Sequence, residues 1–378
     1  MRMRLVATRP RALAIAVALT AILLLSVFGA TRTRAATALG FYQQTNLVSD
    51  LPGVAAVTDP HLVNAWGMSH SPTSPWWISD NGTGVLTLYN GSGTPFPPGS
   101  PLVVTIPPPL GSPAGTLATP TGNVFNSTSG FVVTKSGVSG RAIFLFATED
   151  GTISGWSPAV DPTNAILAVD KSASGAVYKG LALGSNSSGD FLFATNFHNG
   201  TVDVFDTHFA PASLAGSFAD PSIPAGFAPF GIANLGGRLY VTYAKQNAAR
   251  HDDVAGPANG FVNIFDTNGN LIRRLVTRGR LNSPWGLAFA PANFGQFSND
   301  LLVGDFGDGR INVVDPHTGD FLGQLRDRDN RAITIDGLWG LAFGNGANAG
   351  PTDTLFFTAG IDDEAHGLFG SLRHEARA

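Results

Sequence analysis

Short apolar runs alternate with turn-forming residues along almost the whole chain after residue 40. The clearest unit is residues 284–325, in which the apolar runs are 284–289, 300–305, 310–315 and 321–325. The turn between the second and third runs contains Asp308-Gly309, a pair that tolerates the left-handed backbone of tight hairpins. This pattern predicts a meander of four short antiparallel strands, and the mature chain shows no pattern for a long amphipathic helix.

The same unit recurs along the chain, marked by a glycine about every 54 residues. The six copies are Gly67, Gly122, Gly180, Gly231, Gly286 and Gly340. Because the second strands are almost entirely apolar, each sheet must bury both faces against neighbouring copies, which a closed ring achieves. We therefore predict an all-β fold, a six-bladed β-propeller of four-stranded antiparallel blades. A linear solenoid is the alternative, although neither end carries the polar capping repeat that it needs.

The last unit contains only three predicted strands, at 338–343, 354–358 and 367–372. A fourth strand is available near the other end of the chain, at residues 41–48. We predict that this N-terminal strand pairs with the third strand of the last blade and closes the ring without a covalent link. The segment from about 373 to 378 is predicted to be a flexible tail.

Residues 1–35 have the features of a signal peptide. Arginines precede an apolar run at 12–30, and Thr33-Arg34-Ala35 places small residues where signal peptidase cleaves. Residues 36–378 are then predicted to form the single propeller domain of a secreted, extracellular protein, or of a periplasmic one if the source has an outer membrane. The alternative is a retained anchor, because the apolar run is long enough to span a bilayer.

Charge and cysteine content narrow the classes of partner. Six of the 23 lysines and arginines lie in residues 1–35, so the mature chain carries 17 basic and 27 acidic residues. This excess of negative charge argues against nucleic acids and anionic membranes as partners. The chain contains no cysteine, which excludes disulfides and thiol chemistry. We expect a monomer that is held together by its core and is not inserted in a membrane once the signal peptide is removed.

Four stretches of the chain resemble a family of secreted bacterial proteins of unassigned function. They are residues 42–50, 62–67, 147–156 and 339–344. The repeat at 284–325 also resembles the NHL-type propellers, in which strands ending in Asp flank a short turn. The resemblance covers residues 41–373 and implies a full-length six-bladed propeller. It implies no established activity and no catalytic residue.

In propellers, the loops that join blades and the hairpins between second and third strands lie on one face, around the mouth of the pore. The candidates for contacting a ligand or partner there are Asn64, Trp66, Phe230, Lys245, Arg250, Trp285 and Trp339. The aromatic candidates share one repeat position, where they either stack on a ligand or pack the blades together. The long insertion at 245–259 is expected to overhang the pore. The acidic run at 362–364 is interpreted as a solvated surface, with a metal or contact loop as the alternative.

Resemblance to other six-bladed propellers raises two chemical hypotheses. Sugar lactonases hold calcium in the pore with oxygen ligands, and Glu149, Asn196 and Asp305 lie at matching points of three blades. The alternative is that such residues cap their own hairpins. Streptogramin lyases use a histidine as a general base, and His198 and His251 lie on hairpins of adjacent blades. The alternative is that both are ordinary loop histidines.

We therefore expect an exported binding or interaction module that contacts an unknown extracellular ligand or protein through the pore-mouth face. The alternatives are a calcium-dependent, lactonase-like hydrolase and a histidine-dependent lyase. The sequence contains no nucleophile elbow, no phosphate-binding loop and no dinucleotide-binding fingerprint. It does not identify the ligand.

Overall fold

Strands make up nearly all of the regular structure. The computed structural model describes residues 40–377, so the predicted signal peptide at 1–35 lies outside the described residues. Apart from two short 3-10 helices, at Ser172–Ser174 and Gly295–Phe297, every regular element in this range is a β-strand. Within the same range, no helix has the length and hydropathy needed to cross a membrane. The predicted all-β class is confirmed.

The first fifteen strands in chain order include all those of blades 1 to 3. The N-terminal strands are β1 (Gly40–Ser49) and β2 (Val57–Thr58). Blade 1 consists of β3 (Ala65–Ser69), β4 (Trp76–Asp80), β5 (Val85–Tyr89) and β6 (Val103–Thr105). Blade 2 begins with β7 (Pro120–Phe125), continues through an inserted hairpin of β8 (Val132–Lys135) and β9 (Val138–Arg141), and ends with β10 (Phe144–Thr148), β11 (Thr152–Trp156) and β12 (Ile166–Asp170). Blade 3 consists of β13 (Tyr178–Asn186), β14 (Gly189–Asn196) and β15 (Thr201–Phe205).

The second half follows the predicted meander closely. Blade 4 consists of β16 (Phe227–Leu235), β17 (Arg238–Lys245), β18 (Phe261–Phe265) and β19 (Leu271–Thr277). Blade 5 consists of β20 (Pro284–Phe289), β21 (Leu301–Asp305), β22 (Ile311–Val314) and β23 (Phe321–Gln324). Blade 6 contributes β24 (Leu338–Phe343), β25 (Thr354–Ile361) and β26 (His366–Ala376). The six antiparallel sheets form the predicted six-bladed propeller.

Blade 3 departs from a regular four-stranded sheet. Its fourth position is filled by an irregular segment, in which the Ala212 N–H donates to the Val204 carbonyl oxygen at 2.9 Å. The segment then turns to the next blade, where the Gly216 N–H donates to the Asn268 carbonyl oxygen at 2.8 Å. This outer edge is therefore tied partly to blade 4 instead of pairing along its whole length with β15.

The N-terminal strand closes the ring, as predicted. β1 pairs antiparallel with β26, from Gly40 opposite Ala376 to Ser49 opposite Leu368. Because the pairing continues to Ala376, most of the segment that the sequence predicted to be a flexible tail belongs to a strand. β2 lies parallel to β1 at the outer edge of this sheet. The closure is entirely non-covalent.

The repeat glycines lie where the innermost strands of adjacent blades meet. A Cβ atom on Gly286 would lie 2.5 Å from the Trp339 carbonyl oxygen of the next blade. A Cβ atom on Gly340 would lie 3.0 Å from the Trp66 carbonyl oxygen, across the point where the ring closes. Non-bonded heavy atoms normally stay at about 3.5 Å or more from a carbon atom. Glycine therefore recurs at these positions because the backbones of adjacent first strands are too close to leave room for a side chain.

The core lies between the blades. Leu302 and Val313 of blade 5 share one buried cluster with Leu355 and Phe357 of blade 6. Each sheet therefore buries apolar side chains against its neighbours. This burial explains why the apolar second strands require a closed ring of blades.

Candidate functional site

Four aromatic side chains close the pore near one end. Trp66, Phe230, Trp285 and Trp339 each precede a repeat glycine on the first strand of a blade. The Trp66 and Trp339 rings stack with centroids 3.7 Å apart, and Trp285 packs edge-on against Trp339 at 5.9 Å. Because these residues come from four blades, they can meet only at the centre of the ring. We call this group the aromatic plug.

The aromatic residues either stack on a ligand or pack the blades together, and their burial distinguishes these two roles. Trp66 and Trp339 are 1% exposed, and Phe230 is fully buried. Trp285 is half-buried and lines a cavity on the far side of the plug. The first three residues therefore pack the blades together, and of the four only Trp285 presents surface that a ligand can reach.

Lys179 breaks the aromatic pattern. It occupies, in blade 3, the repeat position at which four other blades carry an aromatic residue, and its side chain is 2% exposed. Its ammonium donates to Glu149 Oε1 and lies 3.5 Å from Asp252 Oδ1. The same ammonium lies 5.1 Å from the Trp66 ring centroid, within the range of a cation–π contact. A buried cation is thus held between two carboxylates and the plug.

A chain of hydrogen bonds leads away from this ion pair. Asn81 Nδ2 donates to Glu149 Oε2 at 2.9 Å, and Asn64 Nδ2 donates to Asn81 Oδ1 at 3.2 Å. Asn64 Nδ2 also donates to Glu364 Oε2 at 2.6 Å. The Trp339 indole N–H donates to Asn64 Oδ1 at 3.2 Å, which ties the chain to the plug.

The other end of the chain is a histidine–aspartate pair. His251 Nδ1 lies 2.7 Å from Asp252 Oδ1, and the two side chains are 46% and 60% exposed. The complete set, which we call the crown, consists of Glu364, Asn64, Asn81, Glu149, Lys179, Asp252 and His251. Its members come from blades 6, 1, 2, 3 and 4. The crown is buried at Lys179 and open to solvent at His251 and Asp252.

Loops at one face of the ring position these residues. Asn64 precedes β3, Asn81 follows β4 and Glu149 follows β10. His251 and Asp252 lie in the long β17–β18 loop, which reaches over blade 3 because Gln246 Nε2 donates to the Phe197 carbonyl oxygen at 2.5 Å. Lys245 at the start of this loop and Arg250 within it are exposed.

Glu364 enters the crown from a turn with an unusual backbone. Asp362, Asp363 and Glu364 have φ values of 61°, 53° and 65°, in the left-handed region that residues with a side chain rarely adopt. Asp362 and Asp363 are exposed, whereas Glu364 is half-buried and bonded to Asn64. The interpretation of this acidic run as solvated surface is therefore wrong for Glu364.

The crown carries more negative than positive charge. Glu149, Asp252 and Glu364 face one lysine, and Asp253 adds a further carboxyl group beside them. Burial raises the pKa of Glu364, and the neighbouring Glu149 charge raises it further. Burial also raises the pKa of Asp253. The hydrogen bond between His251 and Asp252 raises the pKa of the histidine and lowers the pKa of the aspartate to about 2.

Asn196 and Asp305, which the sequence grouped with Glu149 as calcium candidates, bond within their own hairpins. Asn196 Nδ2 donates to Asp203 Oδ2 at 2.9 Å, and Asp305 Oδ2 accepts a hydrogen bond from Asn312 at 2.7 Å. Both residues are at most 1% exposed. Their bonds are those of the hairpin role that the sequence left as the alternative, while Glu149 alone of the three lies in the crown.

The crown itself fits a divalent cation poorly. Glu149, His251 and Asp252 offer ligand atoms that all lie within 4.8 Å of one another. However, the Lys179 ammonium already contacts both carboxylates. A calcium ion there would face a like charge in a buried environment, where repulsion is weakly screened. The donor set therefore does not match the calcium site expected from lactonase-like propellers.

The two candidate histidines differ in position. His251 belongs to the crown, where Asp252 orients its ring. His198 lies on the β14–β15 turn, half-buried, with its ring beside Gly175. The His198 carbonyl oxygen accepts a long contact of 3.4 Å from Gln246 Nε2 of the β17–β18 loop.

Sequence reasoning named Asn64, Glu149 and His251 but missed Lys179, which joins blade 2 to the loop of blade 4. The signal was present, because Lys179 stands at a repeat position that is aromatic in four blades. Residues that violate the rule of their own repeat are candidates for function. Glu364 gave no comparable signal, since the turn that directs it inward is visible only in three dimensions.

The opposite end of the pore is an open cavity of about 340 Å³. Its apolar lining comes from the first strands of all six blades, at Met68, Val124, Leu181, Ile232, Leu287 and Leu341. All but Val124 directly follow a repeat glycine. The cavity wall is therefore a direct product of the repeat.

Curated relatives of the chain are proteins without an assigned activity. The chain is 33% identical over 333 residues to the uncharacterized protein R648 of Acanthamoeba polyphaga mimivirus, covering 86% of this chain and 78% of that protein. It is 31% identical over 343 residues to the uncharacterized protein L690 of the same virus, covering 89% of this chain and 86% of that protein. No protein-family model matches the chain. Since these relatives are viral, the bacterial origin implied by the sequence resemblance is not supported.

Solved structures with a related fold include enzymes of low sequence identity. Virginiamycin B lyase from Staphylococcus aureus is 14% identical, with 89% of this chain and 99% of the lyase covered and a TM-score of 0.45. A glucose dehydrogenase is 13% identical, with coverages of 87% and 98% and a TM-score of 0.49. At this level of similarity, neither protein bears on the activity of this chain.

Proposed function

The chain belongs to the protein family of mimivirus R648 and L690, and from its crown we propose that it is a binding module for a small polar ligand. One observation carries this conclusion. Glu364, Lys179 and His251 are linked in one continuous path of hydrogen bonds and ion pairs that joins five blades. Such a path fixes polar groups at the mouth of the pore in one arrangement.

The burial of the crown supports a preorganised site. Asn64, Asn81 and Lys179 are 4%, 8% and 2% exposed, yet each bonds to another crown residue. Burying polar and charged groups costs free energy unless they are bonded to one another or to a ligand. The crown residues pack against the aromatic plug, and a binding site held by a rigid scaffold keeps its geometry.

The balance of charge indicates the chemistry of the ligand. The carboxyl groups of Glu149, Asp252, Asp253 and Glu364 are opposed by a single ammonium and by the His251 ring. Charge complementarity between site and ligand controls which molecules associate. The crown therefore favours a ligand that donates hydrogen bonds or carries positive charge, and it disfavours anions.

Three matched monosaccharides test this proposal. Glucosamine, glucose and glucuronate are added in turn to the mature protein, and amide chemical shifts are followed at Glu149, His251 and Glu364. We expect shifts with glucosamine or glucose, weaker shifts with glucuronate, and loss of the response in a Glu149→Gln/Asp252→Asn variant. The β8–β9 hairpin serves as the internal control. Absence of any crown response across the three charge classes would contradict a binding role at this site.

A second candidate function is proton transfer to or from the bound ligand, and one contact favours it. Asp252 bonds His251 Nδ1 at 2.7 Å, which leaves Nε2 as the nitrogen for a substrate. The test is a His251→Gln variant, which should keep ligand binding and lose turnover. If the parent protein binds a ligand without converting it, this second function is excluded.

A further inference from the structure

We infer that Lys179 is the resident cation of the crown, so that the crown assembles around an ammonium group and needs no metal ion. The ammonium lies among side chains that could otherwise ligate a metal ion. Ligand atoms of Glu149, His251 and Asp252 lie within 4.8 Å of one another, and the Lys179 ammonium contacts two of these three side chains. Lys179 has this role whether or not the crown binds a ligand.

Contacts with the aromatic plug and with Phe197 fix the position of the Lys179 ammonium. The Trp285 indole N–H donates to the Lys179 carbonyl oxygen at 3.0 Å, which anchors the backbone of the lysine to the aromatic plug. The ammonium lies 5.1 Å from the Trp66 ring centroid and 5.9 Å from that of Phe197. The side chain is 2% exposed, so it cannot swing into solvent without opening the crown.

The charges around Lys179 explain why a cation is needed there. Glu149 and Asp252 approach each other closely, and Asp253 and Glu364 add carboxyl groups nearby. Without a positive charge between them, these groups would repel one another in a partly buried environment. The aromatic residue that other blades carry at this position would fill the plug but leave the carboxylates without a counter-charge. The break in the repeat at Lys179 is therefore explained by charge compensation.

The test compares five proteins by thermal unfolding in EDTA, in calcium and in zinc. They are the parent, Lys179→Ala, Glu149→Gln, Lys179→Ala/Glu149→Gln and the matched control Lys135→Ala. Lys135 also pairs with an aspartate, Asp161, but it is 50% exposed, and exposed pairs contribute little to stability. We expect Lys179→Ala to lower the melting temperature by about 5 °C and Lys135→Ala to leave it nearly unchanged.

Three results would support charge compensation by Lys179. The parent should melt at the same temperature in EDTA, calcium and zinc. The added Glu149→Gln change should raise the melting temperature of Lys179→Ala, because it removes one of the uncompensated carboxylates. Stabilisation of Lys179→Ala by calcium or zinc would also show that a positive charge is needed at this position. A purely packing role for the lysine would not produce rescue by a second substitution.

Three results would overturn the inference. The first is a parent protein stabilised by several degrees by calcium or zinc, with the gain lost in Glu149→Gln. The second is a Lys179→Ala variant as stable as Lys135→Ala. The third is a double variant that melts below Lys179→Ala alone. Circular dichroism of each variant before heating establishes that the comparison concerns folded protein.

Discussion

The two ends of the pore are built by different parts of the sequence. The open cavity is lined by residues such as Leu181, Ile232 and Leu287, which follow repeat glycines and contribute in the same way from successive blades. The crown is built from loops that differ between blades and from Lys179, which breaks the repeat. A repeat therefore makes a nearly symmetric wall, whereas asymmetric chemistry arises only where the repeat is interrupted.

The two ends also satisfy their polar groups differently. Crown side chains bond to one another, as Asn64 does to Asn81 and Glu364. At the cavity end, the first strand of each blade is the edge of its sheet, so one side of its backbone is not paired with a neighbouring strand. Side chains of neighbouring blades bond some of these backbone groups, as Asn123 Nδ2 does to the Gly67 carbonyl oxygen at 2.9 Å and Asn234 Nδ2 to the Leu183 carbonyl oxygen at 2.8 Å. The aromatic plug therefore separates an end bonded side chain to side chain from an end bonded side chain to backbone.

The strongest test of this separation removes part of the plug. Trp339 is 1% exposed and stacks on Trp66 at 3.7 Å and on Phe306 at 4.0 Å. We expect Trp339→Ala to lower the free energy of unfolding by about 3–5 kcal/mol, measured by urea denaturation, because it leaves a large cavity between the two ends. Phe321→Ala is the control, since Phe321 is 45% exposed. Equal losses for the two variants would show that the plug is not a structural centre.

A smaller effect is expected where the repeat glycines pack. A Cβ atom on Gly286 would lie 2.5 Å from the Trp339 carbonyl oxygen, which belongs to the backbone and cannot move freely. Gly286→Ala should therefore cost about 1–3 kcal/mol in urea denaturation. Gly256→Ala is the control, because its Cβ would meet only the end of the Asn259 side chain, at 2.9 Å. A neutral Gly286→Ala variant would contradict the steric origin of the period.

The crown end should respond to pH through Glu364. Burial raises the pKa of its carboxyl in the folded protein. Between the unfolded and folded pKa values, the folded state binds more protons, so the contribution is present at low pH and is lost as pH rises through the folded pKa. We expect the parent to lose more stability than Glu364→Gln from about pH 4 upward, in urea denaturation at a series of pH values. The neighbouring Asp363→Asn should behave like the parent, and parallel curves for Glu364→Gln and the parent would contradict the burial of this carboxyl.

The smallest effect is expected at the exposed edge of the crown. The hydrogen bond that His251 Nδ1 donates to Asp252 is the main cause of the raised pKa of His251. Asp252→Asn should therefore lower the pKa of His251 toward that of a free histidine, as measured by NMR titration, with little change in stability because both side chains are largely exposed. An unchanged histidine pKa would show that the pair does not persist in solution.

The fold could be predicted further than the site. The glycine period and the apolar second strands predicted six blades, because both reflect contacts that every blade makes in the same way. The closing strand was predicted from the missing fourth strand of the last unit. The inserted hairpin of β8 and β9 and the irregular edge of blade 3 were not predicted, since each occurs once. Glu149 and His251 were recognised as candidates by residue type. Their link through Lys179 could not be derived, because it depends on the conformation of the long β17–β18 loop.

The sequence by itself determined the ring. Each blade repeats two local features: a glycine where its first strand meets the neighbouring blade, and an apolar second strand. Only the tertiary structure decided the crown. Asn64 and Glu364 are 300 residues apart in the chain and bond because closure brings blade 6 beside blade 1. Lys179 acquires its partners in the same way, from blade 2 and from a loop of blade 4. Contacts between residues so far apart follow from the closed geometry of the ring, which no local pattern specifies.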